Sequence, residues 1–380
     1  MTIFGNGLIF LEGRFEDGLD LVVDNGRIAD IIPRGTRKDG DFVDAKGSYI
    51  VPGFIDIHIH GSVGCDVMDA RFDSLERIAA FLAKNGTTSF LATTMTLSAD
   101  AIRSSIRAAA DFMKRDRAAG AQCLGIHLEG PFLNPDAKGA HDAAYLAEPS
   151  VEGFNEIAGE DIDIIHLVTI APELPGAAEL TSYLRARGIK VSIGHTRADY
   201  DTACRAIDLG MDHTCHFYNA MTPFRHREPG VVGAVLDHGD NTIELISDLV
   251  HIHPAALRLA VKLKGCSSCA LITDAMAAAG LGDGIYSLGG LDVHVEKGVA
   301  RLKDGTLAGS TLTQGMALKN MVGIGVPLED TITMLTSTPA SIIGVSAFKG
   351  YLKAGYDADV VILDRDLSVA STYVKGIKQL

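Results

Sequence analysis

The chain has 380 residues, of which 47% are hydrophobic, and its formal net charge at pH 7 is −14. This acidic balance argues against nucleic acid as the main partner, although a few local arginines and histidines still allow an anionic substrate. The sequence has no apolar segment long enough to predict a membrane span and no signal-peptide pattern. Six cysteines in a chain of this length do not suggest a disulfide scaffold, so we expect a cytoplasmic protein. Cys266 and Cys269 have the spacing of a redox or zinc pair, but no second pair accompanies them.

The two ends of the chain are both predicted to form short strands. Near the amino terminus, strand-like segments flank Asn25-Gly26, and an Asn-Gly pair between such segments is a strong hairpin signal. Residues 358–374 near the carboxyl terminus are also strand-like. We expect residues 1–52 and 346–380 to form one small β-sandwich domain that brings the two termini together.

The segment between them, residues 53–345, alternates strand-like with helix-like patterns. Strand-like runs lie at residues 49–56, 123–128, 189–194, 213–219, 243–247 and 269–273. Helical patterns lie at residues 74–84, 99–117, 177–187, 199–209 and 254–264. Strands that alternate with helices imply parallel βαβ units. The predicted fold is therefore an α/β protein, with a (β/α)8 TIM-like barrel and the small β-sandwich domain built from both chain termini.

Polar residues recur where the strand-like runs end, as expected for a barrel with a single active site. His58 and His60 close the first run, and side chains two apart on a strand face the same way, so both imidazoles could bind one metal ion. The later runs carry or precede further residues of the ligand type, namely Glu129, His195, His216 and Asp274. Together they form a His/Glu/Asp set, without cysteine, that suits divalent metals.

This order of residues on an alternating chain resembles the amidohydrolase superfamily. The local motifs are closer still to the family of N-acetylglucosamine-6-phosphate deacetylases. The matching stretches are residues 52–56, 128–132, 138–141, 194–196, 216–221, 227–230, 273–275 and 307–310. They span most of the chain in the family's order, and their combination is far more specific than any single motif. Members of the family differ at the first motif, and this chain keeps both His58 and His60.

The resemblance implies metal-dependent hydrolysis of the N-acetyl amide of N-acetylglucosamine 6-phosphate, giving glucosamine 6-phosphate and acetate. Glu129, His195 and His216 would hold the principal ion, with Zn²⁺ expected first and Fe²⁺ or another divalent ion as alternatives. His58 and His60 would hold a second ion, with Glu129 bridging, so we expect one or two ions per chain.

Two further residues would take part in the chemistry that the resemblance implies. Asp274 would accept a proton from water and deliver it to the departing amine, because an aspartate is normally ionised at neutral pH. His141, together with the metal, would stabilise the charge that develops on the acetyl carbonyl oxygen. Two alternatives stay open: Asp274 as a structural metal ligand, and His141 as a solvated loop residue.

Substrate recognition is also implied by the resemblance. The matching positions are Ala140, Asn219, Ala220, Arg227, His251 and Ala308. Arg227 offers a planar guanidinium for phosphate oxygens. Proteins that resemble this chain are commonly homodimers in which the corresponding arginine reaches the neighbouring subunit, so we expect a homodimer or a homotetramer. The loop that carries Arg227 could equally fold back over its own barrel.

Three other functions are weighed against this one. The first is a deacetylase for the galactosamine 6-phosphate epimer, since nothing in the sequence identifies the residue that reads the differing hydroxyl. The second is another amidohydrolase acting on N-acyl substrates, which would not need Arg227 together with Asn219. The third is a non-catalytic binding scaffold, whose usual sign would be the loss of a metal ligand or of Asp274, and all of these residues are present.

Overall fold

The computed structural model of the chain describes residues 1–114 and 119–379. The chain begins with short strands. They are β1 (Thr2–Gly5), β2 (Leu8–Leu11), β3 (Arg14–Glu16), β4 (Leu19–Asp24), β5 (Arg27–Pro33), β6 (Asp41–Asp44) and β7 (Tyr49–Pro52). β4 and β5 form the predicted antiparallel hairpin. Asn25 and Gly26 in its turn have φ angles of 48° and 76°, the left-handed conformation that a tight hairpin of this kind requires.

The next part of the chain forms a parallel eight-stranded sheet in which neighbouring strands follow the chain order. Its strands are β8 (Phe54–Ile59), β11 (Thr87–Thr93), β12 (Gln122–Glu129), β13 (Ile165–Ile170), β14 (Lys190–Ile193), β15 (His213–Thr214), β16 (Thr242–Ile246) and β17 (Cys269–Ile272), and the short pair β9 (Gly61–Ser62) and β10 (Cys65–Asp66) follows β8. The residues beyond β17 return to β8, because Ala275 bridges to Ile59 and the Asp274 N–H donates to the His58 carbonyl at 2.9 Å. The predicted TIM-like barrel is confirmed.

Helices connect the barrel strands and cover them. They are α1 (Phe72–Lys84), α2 (Ala99–Lys114), α3 (Val151–Ala158), α4 (Ala177–Arg185), α5 (Tyr200–Asp208), α6 (Gly230–Asp237) and α7 (Pro254–Lys264). Local chemistry sets several of their starts: the Asp199 carboxylate accepts from the Thr202 N–H at 2.8 Å, and Pro254 opens α7 where no helical N–H is needed. The helix predicted at 99–117 is present as α2, and its last three positions lie outside the described residues.

The chain continues from the barrel into a three-stranded antiparallel sheet, three helices and three final strands. They are β18 (Gly284–Leu288), β19 (Leu291–Glu296), β20 (Val299–Arg301), α8 (Gln314–Gly323), α9 (Leu328–Leu335), α10 (Ser337–Ile342), β21 (Val360–Leu363), β22 (Val369–Val374) and β23 (Ile377–Lys378). Leu288 and Val293 of the antiparallel sheet pack with Met95 and Met276. This sheet therefore lies beside the carboxyl end of β17.

Strands from both chain ends share one six-stranded sheet, in the order β23-β22-β21-β7-β2-β3, which packs on a second sheet in the order β5-β4-β1-β6. The apolar layer between them includes Phe4 and Tyr373, whose rings meet edge to face with centroids 4.7 Å apart. β7 ends at Pro52 and β8 begins at Phe54. The domain division into 1–52 with 346–380 and 53–345 stays a prediction. Among the described residues, no helix is both long and apolar enough to cross a membrane.

Candidate active site

The carboxyl ends of the barrel strands hold a buried group of histidine and carboxylate side chains. It contains six of the predicted residues: His58, His60, Glu129, His195, His216 and Asp274. The two histidines of the first motif lie on or just after β8, and Glu129 ends β12. Each of the others follows its strand by two residues. Because parallel strands of a barrel end at one rim, residues far apart in the chain meet there.

The backbone is left-handed at three of these positions. The φ angles are 46° at His195, 26° at His216 and 48° at Asp274. Such a conformation costs a non-glycine residue on the order of 1–3 kcal/mol and persists only where the surroundings hold it. At Asp274 both backbone groups are held, because its N–H donates to the His58 carbonyl and its carbonyl accepts from the Ser310 N–H at 2.7 Å. The strained turns direct the strand-end side chains towards one another.

Glu129 stands at the centre of the group. Its Oε1 lies 3.0 Å from His216 Nε2 and 3.3 Å from His195 Nε2, and the two nitrogens are 3.0 Å apart. Atoms that share one tetrahedral zinc ion, at about 2.0–2.1 Å each, lie roughly 3.3 Å from one another. His195 Nδ1 donates to the Ala137 carbonyl at 2.8 Å, which leaves the Nε2 lone pair free. The three side chains therefore fit a divalent cation.

The other oxygen of Glu129 faces the His-x-His motif. Glu129 Oε2 lies 3.3 Å from both His58 Nε2 and His60 Nε2. Asp274 Oδ1 is 3.2 Å from His60 Nε2 and 3.7 Å from His58 Nε2. Each oxygen of the Glu129 carboxylate thus lies close to one pair of histidines. This arrangement suits a pair of ions with Glu129 between them.

Electrostatics in this buried group favour charged carboxylates. Burial opposes ionisation of Glu129, but the attraction of His58 and the contacts with His141, His195 and His216 together outweigh it and hold the pKa of Glu129 well below its usual range. Burial also opposes the charge on Asp274, yet the hydrogen bond with His60 and the charges of His58 and His60 lower its pKa to about 2. Asp274 is therefore ionised at neutral pH and can accept a proton.

His141 is held as a neutral hydrogen-bond donor. Its Nδ1 accepts from the Thr96 N–H at 3.2 Å and lies 2.8 Å from the Thr96 hydroxyl. Because Nδ1 is an acceptor, the neutral ring carries its proton on Nε2, which lies 3.6 Å from Glu129 Oε2. Burial lowers the pKa of His141 to about 4. An uncharged N–H at this position is suited to an oxygen that becomes negative during a reaction.

A cavity of about 330 Å³ opens beside these side chains. Four of the predicted substrate-binding residues line it: Ala140, Asn219, Ala220 and His251. The other two do not. Ala308 is fully buried against Met95 and Met276, and its neighbours Leu307 and Gly309 line the cavity instead. Arg227 is exposed on the loop before α6, where its Nη1 lies 2.7 Å from His226 Nε2.

Sequence reasoning missed Glu244, which is fully buried behind the candidate metal ligands. Its carboxylate accepts from His58 Nδ1 at 2.8 Å, from His213 Nε2 at 3.1 Å and from the His216 N–H at 3.1 Å. Burial opposes its charge, but the attraction of His58 and the hydrogen bonds from His213 and His58 together keep the pKa of Glu244 well below its usual range. In the sequence, Glu244 could have been noticed as the one acid in the mainly apolar strand β16. Arg197, which also lines the cavity, was missed as well.

The sequence predicted a set of metal ligands without cysteine, but in the structure a thiol lies beside that set. Cys215 Sγ lies 3.5 Å from His216 Nε2 and 3.9 Å from Glu129 Oε1. Within the described ranges, the groups that could hold an ion include Glu129, Cys215 and His216 together. Cys266 and Cys269 are free thiols that belong to none of these groups.

Comparisons with known proteins identify the family and similar structures. Residues 49–378 match the model of the amidohydrolase family. The chain is 41% identical to an N-acetylglucosamine-6-phosphate deacetylase of Bacillus subtilis over 87% of this chain and 84% of the relative. It is 38% identical to an N-acetylgalactosamine-6-phosphate deacetylase of Escherichia coli O157:H7, over 97% and 96%. The crystal structure of N-acetylglucosamine-6-phosphate deacetylase from Pasteurella multocida superposes with a TM-score of 0.94 at 32% identity, covering 99% of both chains.

Proposed function

The chain belongs to the amidohydrolase family, within the group of N-acetylglucosamine-6-phosphate deacetylases, and we propose that it hydrolyses N-acetylglucosamine 6-phosphate to glucosamine 6-phosphate and acetate. The observation that carries the proposal is the meeting of Glu129, His195 and His216 beside an ionised Asp274 at the rim of the barrel. This site has what the hydrolysis of an amide requires, a place for a metal and a base beside it.

A divalent cation bound by these residues would activate water and polarise the acetyl carbonyl. Asp274 accepts the proton of the attacking water as the carbon–oxygen bond forms, and later gives it to the amine nitrogen as the carbon–nitrogen bond breaks. His141 donates its Nε2–H to the carbonyl oxygen while that oxygen carries negative charge. Asn219, Ala220 and His251 line the cavity where the sugar phosphate would lie.

The finer features of the predicted enzyme are part of the proposal. Zn²⁺ is the expected ion because imidazole and carboxylate donors with a thiol close by suit it, and Fe²⁺ is the alternative. Two ions per chain are supported by the two oxygens of Glu129, each of which lies near a different pair of histidines. We also propose a homodimer, in which the exposed Arg227 binds the phosphate of the neighbouring subunit's substrate. A cytoplasmic location is supported by six cysteines that are all free.

A second substrate is favoured by one observation. The relative from E. coli O157:H7 that acts on N-acetylgalactosamine 6-phosphate is nearly as similar to this chain as those that act on the gluco epimer. The two sugars differ at one hydroxyl, so one side chain in the cavity could decide the preference. The galacto epimer is therefore the second candidate substrate.

The experiment that tests the proposal measures acetate release by protein of known metal content. The substrates are N-acetylglucosamine 6-phosphate, its galacto epimer and unphosphorylated N-acetylglucosamine. We expect kcat/KM to be highest for the phosphorylated gluco substrate, activity to be lost on chelation, and activity to return with a divalent ion. Full activity in metal-free protein, or no acetate from either phosphorylated sugar, would contradict the proposal.

A further inference from the structure

We propose that Cys215 is a sulfur ligand of the ion held by Glu129, His195 and His216, and that it biases this position towards thiophilic divalent ions. Cys215 precedes His216 directly and is fully buried. Its Sγ is closer to His216 Nε2, at 3.5 Å, than to Glu129 Oε1, at 3.9 Å. The proposal depends on the metal requirement of the proposed function but not on which sugar is the substrate.

The distances match those of atoms that share one ion. With zinc–sulfur near 2.3 Å and zinc–nitrogen near 2.0–2.1 Å, tetrahedral geometry places sulfur and nitrogen about 3.6 Å apart. The separation of Cys215 Sγ from His216 Nε2 is 3.5 Å. The separation from Glu129 Oε1, at 3.9 Å, is a few tenths of an ångström longer than such geometry requires.

The backbone explains how two consecutive residues reach the same ion. Side chains that follow one another in a strand point to opposite faces. β15 ends at Thr214, however, and the left-handed φ of 26° at His216 turns its side chain to the same region as Cys215. Gly194 leaves the space that the thiol fills, because a Cβ at that position would lie 2.1 Å from Cys215 Sγ. The sulfur thus has a defined place within the cluster.

Coordination replaces the proton of the thiol with the metal, and the proton goes to solvent. A thiolate is a soft ligand that favours Zn²⁺ and related ions over Mg²⁺ or Mn²⁺, which prefer oxygen donors. Glu129, His195, Cys215 and His216 would supply four donors. Zinc can expand to five neighbours, which leaves a position for the oxygen of water or substrate.

The test is a metal titration of the apoprotein, with Co²⁺ and Cd²⁺ as probes. The proteins are the wild type, Cys215→Ser, Cys215→Ala and, as a matched control, Cys123→Ser, whose thiol is also buried but contacts the Gly125 carbonyl. In the wild type and the control we expect a thiolate-to-cobalt charge-transfer band that saturates with the first ion bound. Both Cys215 variants should lose the band.

Affinity and proton release give independent readouts. Loss of a residue that merely supports a ligand typically lowers metal affinity about 10–100-fold, so loss of a bound thiolate should lower Cd²⁺ affinity by at least about tenfold. Mn²⁺ affinity should change little. Calorimetry in buffers of different ionisation enthalpy should show about one proton fewer released per ion by the variants.

The outcomes separate this inference from the proposed function. Wild type without a sulfur band, or Cys215→Ala with an unchanged band and Cd²⁺ affinity, would overturn the inference whether or not acetate is released. A wild-type protein that shows the band but releases no acetate would support the sulfur ligand and refute the substrate. Circular dichroism of each apoprotein establishes that the variants are folded. Serine and alanine differ in polarity, so if one Cys215 variant fails to fold, the other still tests the inference.

Discussion

At the scale of single residues, Asp274 combines a strained backbone with a charged environment. Its φ of 48° directs the side chain towards His60, whose Nε2 lies 3.2 Å from Asp274 Oδ1. Both neighbouring histidines favour its ionised form over the neutral one. The residue is therefore placed and charged as a base, while Glu129, His195 and His216 lie close enough to one another to bind an ion without it.

We predict that Asp274→Asn lowers kcat by about 10²–10⁴-fold, because the amide keeps the shape of the side chain but cannot accept the proton. The ion held by Glu129 should remain. The measurements are steady-state acetate release and elemental analysis of the same preparation. Asp366→Asn, on the exposed surface, is the control and should be unchanged. A near-normal kcat for Asp274→Asn would assign the base to another residue.

The sequence predicted the residues that end strands and missed those that support them. Glu129, His195 and Asp274 could be found because a polar residue at the end of a strand-like run is a visible signal, and His58 could be found from its alternation with His60. Glu244 lies inside its strand and Cys215 lies just before a predicted ligand, so their importance depends on which strands are neighbours and on how the backbone turns at His216. A left-handed φ at a non-glycine residue depends on tertiary contacts, so it could not be predicted from local sequence.

At the scale of elements, Glu244 ties three strands of the barrel together. It lies on β16 and contacts His58 on β8, His213 on β15 and the backbone at His216 just beyond β15. The hydrogen bond to His58 Nδ1 fixes the ring so that Nε2 faces Glu129. One buried acid thus orients a histidine of the first motif and anchors the strained turn that carries His216.

We predict that Glu244→Gln weakens binding of the ion at His58 and His60 by about 10–100-fold, since the amide keeps the shape but holds the His58 ring less firmly. Elemental analysis after dialysis should show a lower metal content than in the wild type. The exposed variant Glu179→Gln on α4 is the control. Equal metal content and affinity in all three proteins would show that Glu244 has no such role.

The elements themselves were largely predictable, and their ends were not. Five helical patterns predicted α1, α2, α4, α5 and α7 because apolar residues recur at helical spacing. The run at 213–219 was expected to be one strand segment, yet β15 ends at Thr214. Left-handed φ angles at His216, Tyr218 and Ala220 bend the chain into the loop that lines the cavity.

At the scale of the whole molecule, a buried lysine joins the barrel to the sheet built from both chain ends. Lys349 Nζ lies 2.9 Å from Asp357 Oδ2 and 2.6 Å from Asp359 Oδ2, and it also donates to Gln122, the first residue of β12. Burial opposes its charge, but the two carboxylates raise the pKa of Lys349 above its usual range. The ammonium neutralises two acids that are otherwise buried.

We predict that Lys349→Ala lowers the free energy of unfolding by about 3–5 kcal/mol, because it leaves buried Asp359 without a cation and buried Asp357 with only the exposed Arg27 at 3.6 Å. Lys319→Ala is the matched control: its ammonium lies 3.7 Å from Asp366 in an exposed pair and should contribute about 1 kcal/mol or less. Denaturant unfolding followed by circular dichroism measures both changes. Shifts of equal size would refute the special role of the buried lysine.

The last prediction concerns assembly. Arg227 and the 61% exposed Phe224 lie on one loop. Among the described residues that line the cavity of the same barrel, none is an arginine of this loop. A second subunit would cover the apolar ring and receive Arg227 at its phosphate site. Arg227→Ala should then lower kcat/KM for the phosphorylated substrate by roughly ten- to several-hundred-fold, since charged hydrogen bonds contribute about 1.5–3 kcal/mol each.

Subunit exchange between Arg227→Ala and Asp274→Asn distinguishes an arginine that acts across an interface from one that acts on its own barrel. If Arg227 serves the neighbouring subunit, one site of each mixed dimer has both Arg227 and Asp274, and activity rises above that of either parent. If it serves its own subunit, every site lacks one of the two residues. Mixed dimers that form, as shown by differently tagged chains, but remain as inactive as the parents would therefore refute the shared site and place the phosphate contact within one chain.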